Sequence, residues 1–104
     1  MKYIRSYENI NQFDPQIEIN RLLESELDES KISYYKENEF IILDYIENDN
    51  SYTCMKGFEN NKIYYAFFIN SNFFEISEKK VEKLFIKLKN LYAEYVGTIN
   101  KYNL

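Results

Sequence analysis

The sequence predicts a single α+β domain: an N-terminal helix, a four-stranded antiparallel β-meander and a long C-terminal helix, with both helices packed on the sheet. Three observations carry this. Apolar residues recur at helical spacing near the start of the chain and again through its last quarter. Between them lie four segments rich in Tyr, Phe and Ile. The polar connections between those segments are two to five residues long, which suits hairpins rather than crossovers. At 104 residues the chain is the size of one domain, 1–104, with its core expected over about 13–99.

The first helix has a well-marked start. Asp14 can accept from its first free N–H groups, and Pro15 falls at the first helical position, where a missing N–H costs nothing. Ile19, Leu22, Leu23 and Leu27 then form one apolar stripe among Glu18, Glu24, Glu26, Asp28 and Glu29. Acidic residues so late in a helix oppose its dipole, so this end is expected to fray or to need support from elsewhere.

Strands are expected at 32–36, 39–46, 52–56 and 62–69, with 72–76 as a short edge strand or a lead into the next helix. Residues 40–43 and 63–69 are apolar on both faces and read as the central strands. With two Gly and one Pro in the whole chain, the turns fall to Asn, Asp and Ser, as in Asn48-Asp49-Asn50, Asn60-Asn61 and Asn70-Ser71-Asn72.

In the last helix Ser77 serves as cap, and Ile76 and Val81 are spaced for a hydrophobic staple. Val81, Leu84, Phe85, Leu88, Leu91, Tyr92, Tyr95 and Ile99 keep the helical period, with Gly97 expected to weaken or end the helix. Lys79, Lys83 and Lys87 line up on its expected outer face. Ile86 and Val96 lie off the main stripe and leave apolar surface for a homodimer.

The chemistry-bearing residue types are sparse. The chain has no histidine, which removes the commonest general base and metal ligand, and one cysteine, Cys54, expected as a buried structural thiol. Gly57 and Gly97 are too far apart to cradle a phosphate, and Glu47-Asn48-Asp49-Asn50 lacks the glycine and distant glutamate of a calcium loop. The expectation is therefore no enzyme, no metal and no cofactor. A lone thiol, no membrane-length apolar run and no apolar leader at the start suggest a cytoplasmic protein.

Charge is the more informative feature. Residues 1–60 hold 13 Asp/Glu against 6 Lys/Arg, and residues 61–104 hold 4 against 7, for a net charge of −4. Glu24, Glu26, Asp28, Glu29, Glu37, Glu39, Asp44, Glu47 and Asp49 are the candidate partner-binding residues. Brought together by the fold, they would present spaced carboxylates to a basic groove, imitating a nucleic-acid backbone. Taken singly, each is slightly better explained as a solvated surface charge. The rings of Tyr34, Tyr35, Tyr45, Tyr52, Tyr64, Tyr65 and Phe67 could stack bases on an open sheet face. Two helices need a sheet face to pack on, however, so most of these rings are expected in the core. Negative charge and only two arginines, Arg5 and Arg21, also disfavour nucleic acid as partner.

In this element order and acidic balance the chain resembles the small phage-encoded anti-CRISPR proteins, and is similar also to the immunity proteins that neutralise bacterial toxins. The resemblance covers residues 14–99 and carries no residue-by-residue motif. It implies a stoichiometric inhibitor in the cytoplasm of a bacterial host cell, acting on a protein with a basic surface such as a CRISPR effector or nuclease. A toxin-immunity protein is one alternative. A small nucleic-acid-binding or regulatory domain using the basic last helix and exposed aromatics is another.

Overall fold

The computed structural model describes residues 13–102, with side chains through residue 99. The chain runs through helix α1 (Pro15–Glu24), a 3₁₀ turn (Glu29–Lys31), strands β1 (Ile32–Glu37), β2 (Phe40–Glu47), β3 (Asn50–Glu59), β4 (Lys62–Ile69) and β5 (Asn72–Phe74), and helix α2 (Glu78–Tyr102). The strands form one antiparallel sheet in the order β1-β2-β3-β4-β5. The α+β plan is as the sequence predicts, with the short edge strand taken up as a fifth.

The turns explain how so glycine-poor a chain makes a meander. Positive φ falls on residue pairs at three of them: Asn48 and Asp49 (52° and 64°), Asn60 and Asn61 (51° and 63°), and Asn70 and Ser71 (52° and 69°). Paired positive φ is the tight turn whose twist matches antiparallel strands, and Asn tolerates it best after glycine. Asn70 also ties two turns together. Its side-chain oxygen accepts from the Ser51 N–H at 2.8 Å, and its amide donates to Asn50 Oδ1 at 3.0 Å.

Period-two alternation sorts the strands into two faces. One face carries the cross-strand rows Ile32–Tyr45–Tyr52–Ile69 and Tyr34–Leu43–Cys54–Phe67–Phe74. Ile19, Leu22, Val81, Leu84, Phe85 and Leu88 of the two helices pack with these rows into one core. Each such side chain stabilises the fold by about 1.5–3 kcal/mol on burial. Tyr34 stacks on Tyr92 at 5.4 Å between ring centroids, and Tyr65 meets Phe85 edge-on at 5.7 Å. Helix α2 therefore crosses the sheet from β4 to β1.

Several local expectations change. Helix α1 stops at Glu24 because Ser25 is extended (φ −83°, ψ 156°), so Glu26, Asp28 and Glu29 lie outside it. Asp28 instead caps the 3₁₀ turn, its Oδ1 accepting from the Ser30 N–H and hydroxyl. The outside support for this helix end comes from Lys87. Rather than lining the outer face with the exposed Lys79 and Lys83, its ammonium donates to the carbonyls of Leu22 (2.7 Å), Leu23 (3.0 Å) and Ser25 (2.5 Å). A cation is set on the negative pole of α1, and partial burial lowers the lysine pKa.

Gly97 does not end α2, which continues to Tyr102. The central strand is β3, with β2 and β4 on either side, so residues 40–43 and 63–69 flank the centre. Strands β3 and β4 extend beyond the helices at one end, which leaves Phe58 and Ile63 exposed.

Candidate interaction face

Among the described residues, no helix lies on the opposite face of the sheet. Its side chains are those of the rows Ser33–Asp44–Thr53–Phe68–Phe73 and Tyr35–Ile42–Met55–Ala66, continued by Phe40, Gly57 and Tyr64. Phe73 is 61% exposed, Ile46 52%, Tyr35 44%, Tyr64 43% and Phe40 41%. Large apolar groups at such exposure are ordinary when scattered, but these share one surface.

The face is built, not merely bare. The Phe40 ring lies over Gly57, where an added Cβ would come within 2.7 Å of it. Only glycine lets that ring lie flat on the central strand, and the ring in turn covers backbone that glycine leaves bare. Phe68 and Phe73 pack edge to face at 5.7 Å. Between the rings lies a polar centre: Asp44 accepts from the hydroxyl of Thr53 and, at 3.3 Å, from that of Tyr35. Burial together with the Asp44 charge raises the Tyr35 pKa, so the phenol stays a neutral donor.

The electrostatic character follows from the strand sequences. Glu37, Asp44 and Glu59 project from this face against Lys62, so it is aromatic and net acidic. That composition suits a partner offering cations and apolar surface. It leaves phosphates with little to bind, although the rings could accept stacked bases.

The nine candidate partner-binding residues do not form one surface. Glu24, the last residue of α1, and Glu26, Asp28 and Glu29 after it lie at the end of the sheet marked by the β2–β3 turn, where the Asp28 N–H donates to the Tyr45 hydroxyl at 3.3 Å. Glu47 and Asp49 belong to that same end, but Glu47 is held by Arg21 at 2.9 Å. Glu37 at the end of β1 and Glu39 within the β1–β2 turn lie at the other end, a strand length of about 23 Å away. Asp44 lies between, on the uncovered face. The fold thus brings six of the nine to one end, separates two, and places Asp44 at the centre of the aromatic face.

Of the seven rings weighed as a stacking platform, Tyr34, Tyr45, Tyr52, Tyr65 and Phe67 point to the helices, and Tyr35 and Tyr64 to the open side. Phe40, Phe68 and Phe73 join the open set, and sequence reasoning did not single them out. Strand parity could have found them once the register was known, since all three are in phase with Asp44 across the sheet.

The remaining polar groups are structural. Tyr52 is buried, donates to Glu18 Oε1 at 2.9 Å and accepts from Arg21 Nη2 at 3.2 Å. Desolvation, then the bond to Glu18, pushes its pKa up to about 12. Cys54 is wholly buried in the central strand, and burial raises its thiol well above the ordinary value, so it is unreactive in the folded chain. Among the described residues no group of three potential metal ligands converges, and no helix is long and apolar enough to cross a membrane. Comparison with protein-family models, curated proteins and solved structures finds no match to this chain.

Proposed function

We propose that this chain is a non-catalytic protein-binding domain whose working surface is the uncovered face of the sheet, and that it inhibits its partner by stoichiometric occlusion. The observation that carries the reading is the acidic, aromatic face with Asp44 at its centre. Five large apolar side chains there are each more than 40% exposed, whereas Tyr45, Tyr52, Phe67 and Phe85 on the helix side are almost wholly buried. Interface cores favour such rings because they supply much contact area with few rotors.

The partner the face fits carries a basic, partly apolar surface, as nucleases and nucleic-acid-binding proteins do. The element order and acidic balance shared with small anti-CRISPR proteins support an anti-defence role inside a bacterial cell. The acidic end formed by Glu24, Glu26, Asp28, Glu29, Glu47 and Asp49 supplies long-range steering. The direct test is capture from bacterial lysate by the tagged protein, with and without nuclease treatment. One basic protein recovered at one-to-one stoichiometry from the nuclease-treated sample supports the proposal. Nucleic acid recovered without any stoichiometric protein contradicts it, and would favour the stacking reading that the open rings also permit.

A further inference from the structure

The sheet has two edges, and they differ. Strand β5 is three residues long and offers little to pair with, whereas β1, at the other edge, runs for six residues with no strand beside it among the described residues. The β1–β2 hairpin closes on a two-residue turn between Glu37 and Phe40. The closing pair of such a turn is hydrogen-bonded, and bonded pairs alternate along the ladder, so Glu37, Tyr35 and Ser33 bond to β2. The N–H and C=O groups of Ile32, Tyr34 and Lys36 consequently point out of the sheet.

We propose that this edge pairs with the same edge of a second copy of the chain, antiparallel and two-fold symmetric about Tyr34, to make one continuous ten-stranded sheet. That register sets Tyr34 against Tyr34 of the second copy and Ile32 against its Lys36. Every outward N–H and C=O on both strands then has a partner. Centring the pair one residue earlier or later leaves Lys36 or Ile32 without a strand residue opposite it. Charge complementarity selects the same register. Lys31 and Glu37 are both exposed and each lies three residues from Tyr34, so each faces the opposite charge on the second copy, twice over by symmetry.

The last helix fits the same arrangement. Tyr92 stacks on Tyr34 of the edge strand, so residues 93–102 of α2 continue about 15 Å past the sheet. Beneath this overhang is an open, mainly apolar hollow of about 390 Å³ lined by Tyr34, Tyr92, Ala93, Val96 and Gly97, with Lys89 at its margin as the one charged lining residue. Two-fold symmetry runs the second copy's overhang antiparallel to the first on this side of the joint, and each covers the other's hollow. Apart from Glu37, which lies at both the edge and the face, the pairing leaves the uncovered face free, so it stands apart from the reading of that face.

The test is sedimentation velocity over a concentration series, with circular dichroism to confirm folding. Wild type is expected to reach a dimer at micromolar concentration. Lys36→Pro removes an outward N–H from an exposed edge position, which a folded monomer tolerates, and should abolish the dimer. Lys31→Glu and Glu37→Lys, each alone, should raise the dimer dissociation constant about tenfold, and the double exchange should restore it. Restoration by the double exchange separates charge pairing across the joint from any effect on the fold. A wild-type chain that remains monomeric at high micromolar concentration overturns the proposal. So does a Lys36→Pro variant that still dimerises, or a double exchange that fails to rescue.

Discussion

The two faces of the sheet are made by the same strands and carry similar numbers of rings, yet they differ sharply in burial. On the helix side, Tyr45, Tyr52 and Phe67 are almost wholly buried, and the Tyr52 hydroxyl is satisfied by Glu18 and Arg21. On the other side, Tyr35, Tyr64, Phe40 and Phe73 remain 41–61% exposed around Asp44. A residue's type says little about which role it takes. The parity of its position in the strand decides, because a step of one residue moves a side chain from core to surface.

The largest test of this contrast is truncation. Phe67→Ala and Leu84→Ala remove side chains with no exposed surface and should cost about 3–5 kcal/mol each in chemical denaturation. Phe73→Ala on the open face should cost less than about 1 kcal/mol, because its ring is mostly solvated and gives up chiefly the contact with Phe68. Equal costs on the two faces would break the comparison.

Next in size is the ammonium that joins the two helices. Lys87→Met keeps the stem but removes the charge from three carbonyls, and should destabilise the fold by about 2 kcal/mol. Lys83→Met, one turn earlier and exposed, should change the denaturation midpoint hardly at all.

Alkaline titration sharpens the contrast between tyrosines. The folded-state pKa of Tyr52 lies near 12, above its unfolded value near 10, so its contribution is fully present below pH 10 and is lost as pH rises toward 12. Thermal melts across that window should show falling stability. Tyr52→Phe should flatten the fall while lowering stability at neutral pH.

The smallest effects concern backbone. Gly97 lies inside a helix with nothing within 4 Å of an added Cβ, so Gly97→Ala should stabilise by about 0.5–1 kcal/mol. Gly57→Ala should do the opposite, because the Phe40 ring stands in the way. Ser71→Gly, at φ 69°, should gain several tenths of a kcal/mol by relieving a left-handed serine.

Much of the fold was legible because its signals are local. The Asp14-Pro15 start, the Asn-rich turns and the stripe from Val81 to Tyr95 each report their own element without knowledge of the rest. The misreadings came where tertiary structure decides. Lys87 looks like one of three outward lysines until the position of α1 makes it a cap. Leu27 continues a helical stripe but is buried from a loop, because Ser25 ends the helix first. Gly97 reads as a weak point or a stop, and the helix runs on through it because a single glycine costs only about 1 kcal/mol against the long packed stripe before it. Of the candidate site, the acidic excess was visible in composition. Its division between the two ends of the sheet and an aromatic face needed the strand register, which turn residues and hydrophobic patterning alone had left open.

The central claim is that the uncovered face serves a partner and not stability. It is tested most directly by a double substitution, Tyr64→Ser with Phe73→Ser, measured for melting temperature and for capture of the bound protein from nuclease-treated lysate. The account predicts a melting temperature within about 4 °C of wild type and loss of the captured protein. Undiminished capture by a folded double variant would contradict it.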